Sequence, residues 1–543
     1  MPLIVTPRPR LGTWQPGNLP PATASEAMQD ALYHLAQPVV LTEFQGQPAL
    51  GAGGRLSLDG GEGLPIFALA PALRPEDLGD PGFVADHGIQ YPYVAGAMAS
   101  GIGSAEIVIA MSRAGMLGFF GAGGLPLPQV EAAIERVQRE LGSAPYGFNL
   151  LHSPQEPDLE AAVVDLYLKR GVHLVEAAAY MSMTLPLIRY RVSGIHRAAD
   201  GTIVTPNRVI AKVSRVEVAS RFFSPPPANM LAKLVESGQI TAEEAELAKH
   251  IPVAQDLTAE ADSGGHTDNR PALAMLPTMI ALRDRLQAEH GYAQRLRVGA
   301  AGGISTPASA AAAFAMGAAY VLTGSVNQSC VESGTSDLVR QMLAAAQQAD
   351  VAMAPAGDMF EMGVKVQVLK RGTMFAMRAQ KLYDLYKAYE GLEAIPEDVR
   401  AGLEKDLFRA PLEEIWTGTR DFFLTRDPSQ VERAERDPKH RMALVFRWYL
   451  GLSSRWSKGG DPSRKADYQI WCGPAMGAFN EWVKGSALEA SENRRVVTVA
   501  LNILVGACAL TRWNILRMAG HAIAPELAHG RVLPLDQLQA LLV

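Results

Sequence analysis

An alternation of short apolar runs with turns and amphipathic stretches constrains the fold of this chain more than any other feature. From about residue 91, each apolar run is followed by a turn bearing Gly or Asn and then by an Ala-rich amphipathic stretch. This alternation is typical of βα units that build a parallel sheet. The predicted strands are Tyr93–Ala97, Gly118–Gly121, Tyr146–Leu150, His173–Ala177, Val209–Val213, Pro252–Leu257, Arg297–Ala301 and Tyr320–Thr323.

Eight strands are the number that closes a (β/α)8, or TIM, barrel of roughly 250 residues. Doubly wound sheets show the same alternation, so the count favours a barrel without excluding them. A chain of 543 residues leaves room for additions on both sides. We predict an α/β fold with an N-terminal accessory segment at 1–88, a barrel at 89–375 and a helical subdomain at 376–543.

The accessory segment is rich in Pro and Gly and contains one helical stretch, Ala24–Ala36. After it, two short alternating runs flank Gln45-Gly-Gln, which predicts a hairpin. After about residue 350 the strand signal disappears, and residues 376–527 are predicted to be mostly helical.

Two insertions interrupt the barrel pattern, at about 188–208 and 225–250. The first carries an Asp200-Gly turn and reads as a hairpin. The second reads as two helices, with Thr241 and Glu244 forming a capping box at the start of the second. Because both flank the fifth strand, we expect them to shape the substrate pocket.

Charge and cysteine content narrow the classes of partner. The net charge is −6 and the pI about 6.0, whereas binders of nucleic acid or anionic membranes usually carry a basic face. The three cysteines, Cys330, Cys472 and Cys508, are far apart and lack C-x-x-C spacing. That excludes a disulfide framework and a four-cysteine zinc site, and it suits a reducing cytoplasm. We expect each to be a small buried hydrophobic residue.

Localisation signals are weak in this sequence. The N-terminus has no charged region followed by an apolar core, so no secretory signal is predicted. The apolar stretch Val496–Leu510 is about 15 residues long, and a membrane span needs roughly 20. We predict a buried helix there, a cytoplasmic protein, and no nucleic-acid or membrane partner.

Glycine-rich turns follow the seventh and eighth predicted strands. They contain Gly302 and Gly303 in one turn, and Gly324 and Ser325 in the other. Backbone amides free of side chains bind phosphate well, and barrels commonly place a phosphate site in these two loops. The alternative is that the glycines only permit tight turns. Their position after these two strands favours phosphate.

A polar run follows the sixth strand and includes Gly264, Gly265 and His266. The two glycines would let the backbone approach a flat ring closely, and His266 would then point into the barrel mouth. His266 could equally stabilise the loop through a hydrogen bond. His266 and Asp268 lack a third ligand, so no metal site is predicted.

Three further strands supply polar or exposed-backbone residues to the same mouth: Ala97 and Met98, Asn149, and Lys212. Asn149 offers a donor and an acceptor on an apolar strand, as the edge of a pyrimidine ring requires. A lysine facing a barrel interior needs a negative partner. That partner is either a reduced flavin or a carboxylate such as Glu176 or Glu260.

Four motifs together resemble the nitronate monooxygenase and flavin-dependent enoyl reductase superfamily: Gly118-Phe-Phe-Gly-Ala-Gly-Gly, Tyr146-Gly-Phe-Asn-Leu, Glu260-Ala-Asp-Ser-Gly-Gly-His and Ala300-Ala-Gly-Gly-Ile. Three longer and more specific motifs resemble the PfaD family, the trans-acting enoyl reductases of polyunsaturated fatty acid and polyketide synthases. These begin at Ala261, at Lys365 and at Tyr468, and the last runs Tyr468-Gln-Ile-Trp-Cys-Gly-Pro-Ala-Met-Gly. The resemblance covers about residues 10–520.

The resemblance implies FMN in the barrel mouth, NADPH as hydride donor and a 2-enoyl thioester on an acyl carrier protein as acceptor. By motif, the isoalloxazine and ribityl chain would be surrounded by Ala97, Met98, Asn149, Lys212, Gly264 and Gly265. The phosphate would be held by Gly302, Gly303, Gly324 and Ser325. We take His266 as the candidate catalytic residue, with water or a tyrosine as other possible proton sources. A homodimer is compatible with the sequence.

A locally basic stretch in the helical subdomain is a candidate contact for the carrier protein. It contains Arg441, Arg447, Arg455, Lys458, Arg464 and Lys465, interleaved with aromatic residues. The alternative is a solvated helix face over a buried aromatic stripe. For function, the alternatives are a nitronate monooxygenase-type oxidase using oxygen, a non-catalytic docking barrel of a synthase, and a phosphate-binding barrel without flavin.

Overall fold

The computed structural model describes residues 10–152, 157–519 and 524–542, so residues 1–9 of the predicted accessory segment lie outside the described residues. Its centre is a closed barrel of eight parallel strands, which confirms the predicted fold. In barrel order the strands are β7 (Tyr93–Ala95), β8 (Leu117–Phe120), β9 (Gly147–Leu151), β10 (Leu174–Ala178), β13 (Arg208–Val213), β14 (Asp256–Glu260), β16 (Arg297–Ala301) and β17 (Val321–Thr323).

Helices follow each barrel strand and cover the outside of the barrel. They are α3 (Ala105–Arg113), α4 (Leu127–Leu141), α5 (Pro157–Arg170), α6 (Leu185–Val192), α7 (Val216–Phe223), α10 (Ala272–His290), α11 (Pro307–Ala315), α12 (Ser325–Gln328) and α13 (Asp337–Ala344). The sixth strand begins later than predicted, at Asp256 rather than Pro252. Its inward-facing residues are polar, so the apolar run that precedes it indicated the strand four residues too early.

The interior of the barrel is closed at the amino ends of the strands by α2 (Pro81–His87). Phe83 stacks on Tyr320 with ring centroids 4.0 Å apart. Nε2 of His87 lies 2.9 Å from a carboxylate oxygen of Asp256, which also accepts from Arg297 at 2.6 Å. This buried polar layer is fully paired, so the open end of the barrel is the carboxyl end.

The N-terminal accessory segment forms two small antiparallel sheets beside α1 (Ser25–Tyr33). Their strands are β1 (Gly12–Gln15), β2 (Val39–Phe44), β3 (Gln47–Ala52), β4 (Arg55–Ser57), β5 (Leu64–Ile66) and β6 (Ala68–Ala70). The predicted hairpin is confirmed as β2–β3, with Gln45 and Gly46 at φ 52° and 75° in its turn. Two positive φ values match the right-handed strand twist of a tight hairpin.

Both insertions have the predicted structure but lie at the opposite end of the barrel from the one expected. The hairpin is β11 (His196–Arg197) with β12 (Ile203–Val204), and the two helices are α8 (Ala228–Glu236) and α9 (Ala242–Ala248). Each lies between a helix and the following strand, so it sits at the amino ends of the strands. The expectation that they shape the pocket was therefore wrong.

A three-stranded antiparallel sheet, which the sequence did not predict, lies beyond the carboxyl ends of the barrel strands. Its order is β15 (Gly265–His266), β19 (Lys365–Leu369) and β18 (Val351–Pro355). We call it the lid sheet. Residues 470–472 run beside β19, with Val368 bridged to Trp471. The prediction that strands end near residue 350 was wrong.

The C-terminal helices are divided between two hydrophobic cores. They are α14 (Phe375–Ala388), α15 (Glu397–Leu403), α16 (Leu412–Arg426), α17 (Pro428–Arg436), α18 (Pro438–Gly459), α19 (Ala475–Val483), α20 (Val496–Met518) and α21 (Leu535–Leu542). One core is formed by the inner faces of α14–α18 with residues of β18 and β19. The other is the large core around the barrel, which includes α20.

Helix α20 is long and apolar enough, by length and composition, to cross a membrane. At 23 residues it is longer than the predicted stretch, but 83% of its most apolar window is buried inside the protein, as predicted. It packs on α11, α1 and α3. All three cysteines are buried and free, which confirms their interpretation as apolar residues.

Candidate functional site

The predicted site residues all lie at the carboxyl end of the barrel. Ala97 and Met98 follow β7, Asn149 and Lys212 lie in β9 and β13, and the three glycine-bearing turns follow β14, β16 and β17. Parallel strands bring these ends together at one rim. The structure thus places ten cofactor-binding candidates and His266 around one mouth.

The glycine turns after β16 and β17 have exposed backbone at two positions. Gly303, at φ 78°, and Gly324 have no atom within 4 Å of the place a Cβ would occupy. Gly302 differs, since a Cβ there would lie 2.5 Å from the carbonyl carbon of Ala261. Ser325 begins α12, and its hydroxyl accepts from the amide of Gly473 at 3.4 Å. Gly303 and Gly324 therefore leave the open backbone that a phosphate group requires.

Lys212 points into the mouth between two carboxylates. Its Nζ lies 3.4 Å from Oε1 of Glu260, so one of the alternatives left open by the sequence, a carboxylate partner, is present. Burial acts to lower the pKa of Lys212, but the charges of Glu260 and Glu176 outweigh it and raise the pKa. The ammonium is therefore charged at neutral pH and faces the space above the barrel floor.

Glu176 is a site residue that the sequence suggested only as a possible partner of Lys212. It is completely buried in β10, and its Oε2 accepts from the amide of Ala97 at 2.9 Å. Its carbonyl oxygen accepts from the side-chain amide of Asn149 at 3.1 Å. Burial raises the pKa of Glu176, and its Oε1 has no hydrogen-bond partner among the described residues. An unpartnered buried oxygen beside an open mouth marks a place for a ligand group.

The segment after β14 is held by the lid sheet. Gln367 of β19 donates to Oδ1 of Asp262 and to the carbonyl of Ser263, both at 2.8 Å. A Cβ on Gly264 would lie 2.8 Å from the amide nitrogen of Cys472. The absence of a side chain at Gly264 thus serves backbone packing against residue 472, whereas contact with a flat ring was predicted from the sequence. Gly265, at φ 82°, has only Trp471 nearby, at 3.8 Å.

His266 stands at the edge of the lid sheet, with its side chain 43% exposed. Its Nε2 lies 3.2 Å from Oδ1 of Asp358. Burial acts to lower the pKa of His266, but the hydrogen bond and charge of Asp358 raise it overall. Asp268 has other partners, because it binds Arg215 and the hydroxyl of Ser214. His266 is thus a partly exposed, readily protonated group over the mouth.

The predicted basic stretch is mostly engaged within the helical region. Arg441 pairs with Glu413, and Arg464 donates to the carbonyl oxygens of Leu407 and Phe408. The interleaved aromatic residues Phe446 and Tyr449 are completely buried, as the alternative interpretation expected. Arg455 and Lys465 are exposed, and Lys458 is half-buried beside the barrel rim.

The fold and this arrangement define a (β/α)8-barrel protein with a polar site at the carboxyl ends of its strands. A sequence model of the nitronate monooxygenase family matches residues 83–428, which is more than half of the chain. The chain therefore belongs to the nitronate monooxygenase family. A second model, described as the inserted helical domain of [acyl-carrier-protein] S-malonyltransferase, matches residues 389–468.

Similar proteins include components of two kinds of synthase. The chain is 51% identical to a polyunsaturated fatty acid synthase protein of Thraustochytrium over 81% of its length, and 48% identical to polyketide biosynthesis protein PksE of Bacillus subtilis over 81%. It spans 30% of the first and 57% of the second. The resemblance inferred from the motifs is confirmed.

A solved structure similar to this one is the enoyl reductase domain of MlnA from the macrolactin biosynthesis cluster of Bacillus amyloliquefaciens. It is 42% identical and superposes with a TM-score of 0.77. The match covers 82% of this chain and 98% of that chain. The likeness therefore extends over almost all of that domain.

Proposed function

We propose that this protein is a flavin-dependent enoyl reductase that reduces 2-enoyl thioesters carried by an acyl carrier protein, with NADPH as the reductant. The observation that carries the proposal is the similarity to the enoyl reductase domain of MlnA over 98% of that chain. The polar mouth supports it, because the residues there suit a phosphate-bearing, ring-containing ligand.

The described residues fit FMN at three points. Gly303 and Gly324 leave open backbone for the phosphate, with Gly302 and Ser325 beside them. The buried Oε1 of Glu176 lacks a partner that a ring heteroatom would supply. Ala97, Met98, Asn149, Lys212, Gly264 and Gly265 surround the space between these points. A bound flavin would supply the hydride transfer from NADPH to the β-carbon of the enoyl group.

The chain's own residues would complete the reduction. A hydride added at the β-carbon leaves negative charge on the thioester oxygen and requires a proton at the α-carbon. His266 would donate a hydrogen bond to that oxygen or the proton to the α-carbon, because Asp358 keeps its imidazole readily protonated. Lys212 would hold a positive charge beside the developing anion, screened by Glu260.

The acyl carrier protein is the partner that we propose for the helical region. The support is the match of residues 389–468 to a helical domain found in a transferase that acts on such carriers. We also propose a cytoplasmic location, consistent with three free, buried cysteines.

The test is the visible spectrum of the purified protein, followed by anaerobic addition of NADPH and then of crotonyl-acyl carrier protein. We expect flavin bands that NADPH bleaches and the thioester restores. His266→Gln should bleach normally but recover slowly. His196→Gln, on the exposed hairpin at the opposite end of the barrel, should match the unmodified protein.

Two outcomes would overturn the proposal. Flavin bands that a nitronate bleaches but NADPH does not would identify a nitronate monooxygenase. A colourless protein that cannot be reconstituted with FMN would identify a barrel that docks carriers without catalysis.

A further inference from the structure

Lys458 extends from α18 of the helical region to the rim of the barrel mouth. Its Nζ donates to the carbonyl oxygen of Ser100 at 2.5 Å. The same Nζ would lie 3.6 Å from a Cβ on Gly101. Ser100 is two residues beyond Met98 in the turn after β7, so the ammonium lies on the rim of the proposed cofactor site.

The ammonium of Lys458 lacks a compensating negative charge. Among the residues that the structure describes, it forms no ion pair with a carboxylate, and burial lowers its pKa. An ammonium has three donors, and the carbonyl of Ser100 occupies one of them. Lys212, in contrast, lies between two carboxylates. A half-buried cation without a counter-charge is costly, and an anionic ligand would remove that cost.

A second cation stands one turn away on the same helix. Arg455 precedes Lys458 by three residues in α18, so the two side chains share a face. Arg455 is exposed and has no hydrogen bond or ion pair within the described ranges. The neighbouring Arg464 is instead engaged with carbonyl oxygens and lies over the ring of Trp456.

We propose that Lys458, with Arg455, forms a subsite at the barrel rim for a phosphate ester on an extended molecule whose reactive end enters the mouth. The inference rests on the proposed function and deepens it. Two molecules of that reaction carry such a group: the phosphopantetheine arm of the carrier, and NADPH through its 2′-phosphate. Helix α18 lies inside residues 389–468, the segment similar to a helical domain of a carrier-protein transferase, which favours the arm.

The first measurement is binding, which does not depend on turnover. The affinities of 4′-phosphopantetheine and of pantetheine for the full chain are compared by calorimetry. We expect the phosphorylated molecule to bind about tenfold more tightly, as one charge-assisted hydrogen bond provides. Lys458→Met should abolish that difference, and Lys458→Arg should retain most of it. Lys465→Met, which removes another exposed lysine nearby, should leave it unchanged.

The second measurement distinguishes the source of the phosphate. The affinities of NADPH and NADH are compared in the same variants. A lost NADPH preference in Lys458→Met, with the pantetheine pair unaffected, would assign the subsite to the nucleotide. The subsite is overturned if the unmodified protein binds phosphorylated and unphosphorylated molecules equally, or if Lys458→Met weakens both members of each pair alike. A protein that shows the phosphate preference but no enoyl reduction would keep the subsite and refute the proposed function.

Discussion

Lys212 faces two carboxylates beneath the mouth, whereas His266 faces a single one above it. The positive charge of Lys212 is therefore fixed across the physiological range, since Glu260 and Glu176 both raise its pKa. His266 titrates much nearer to neutrality, and the charge that raises its pKa comes chiefly from Asp358. The two cations thus suit different tasks: one permanent charge for binding and one exchangeable proton for chemistry.

The pH dependence of reduction tests the role of Asp358. Because the pKa of His266 is raised in the folded protein, its protonated form persists to higher pH, and activity that needs this form falls as pH rises through that pKa. Asp358→Asn should move the falling limb of the rate profile to lower pH. The rate of flavin reoxidation by crotonyl thioester measures it, with Asp384→Asn on exposed α14 as the control. A limb at the same pH in both variants would contradict the assignment.

Residues whose direction follows from strand alternation could be predicted from the sequence. Lys212 shares parity with Ile210, which is buried inside the barrel, so its place in the mouth follows from the period of two. Glu176 shares parity with Leu174 in the same way. Its unpartnered oxygen could not be foreseen, because that depends on the position of Ala97, far away in the sequence.

At the scale of elements, the lid sheet is what distinguishes this mouth from a bare barrel rim. Its edge strand β15 carries His266, and β19 fixes the preceding loop through Gln367. The backbone of Gly264 meets that of Cys472 at a distance that leaves no room for a side chain. The position of His266 therefore depends on a segment about 200 residues further along the chain.

Two glycine substitutions should separate the lid from the cofactor site. Gly264→Ala places a Cβ 2.8 Å from the amide nitrogen of Cys472, so we expect a loss of about 1–3 kcal/mol in stability. Gly303→Ala meets no atom but adds a side chain at φ 78° in the open turn, so we expect mainly weaker FMN binding. Unfolding by urea and flavin titration measure the two effects. Equal loss of FMN affinity in both variants would contradict this division.

The sequence predicted the barrel elements well because each depends on a local pattern. The capping box at Thr241 and the hairpin turn at Gln45 were similarly local and are present. The lid strands were missed because β15 has two residues, and its pairing with β19 joins positions about 100 residues apart. Val366 and Val368 alternate as a strand should, but this short run gave no indication of a partner.

At the scale of the whole molecule, α20 joins parts that were predicted to be separate segments. It packs in the barrel core against α11 and contacts α1 of the accessory segment. Arg512 of α20 is completely buried and donates to the carbonyl oxygens of Leu32 and Gln37. The helical region is therefore not a separate unit, because its most apolar helix belongs to the core around the barrel.

Matched glycine substitutions test the packing of α20. Gly506→Ala would place a Cβ 2.5 Å from Cγ of Pro307 at the start of α11, so we expect a loss of about 1–3 kcal/mol. Gly451→Ala, also inside a helix, meets no atom and should be neutral or stabilise by up to about 1 kcal/mol. Melting temperatures give the comparison. A stabilising Gly506→Ala would show that the two helices lie further apart.

The bonds from Arg512 to the accessory segment also tie the early and late parts of the chain into one clasp. Arg531 extends the clasp, since it donates to the side chain of Gln29 at 2.6 Å. A unit closed in this way has its two outgoing connections on the same side, so it can be spliced into a longer polypeptide without threading through its neighbours. Portability of this kind suits assembly-line proteins, and the match to 30% of a thraustochytrid synthase protein is an instance of such embedding.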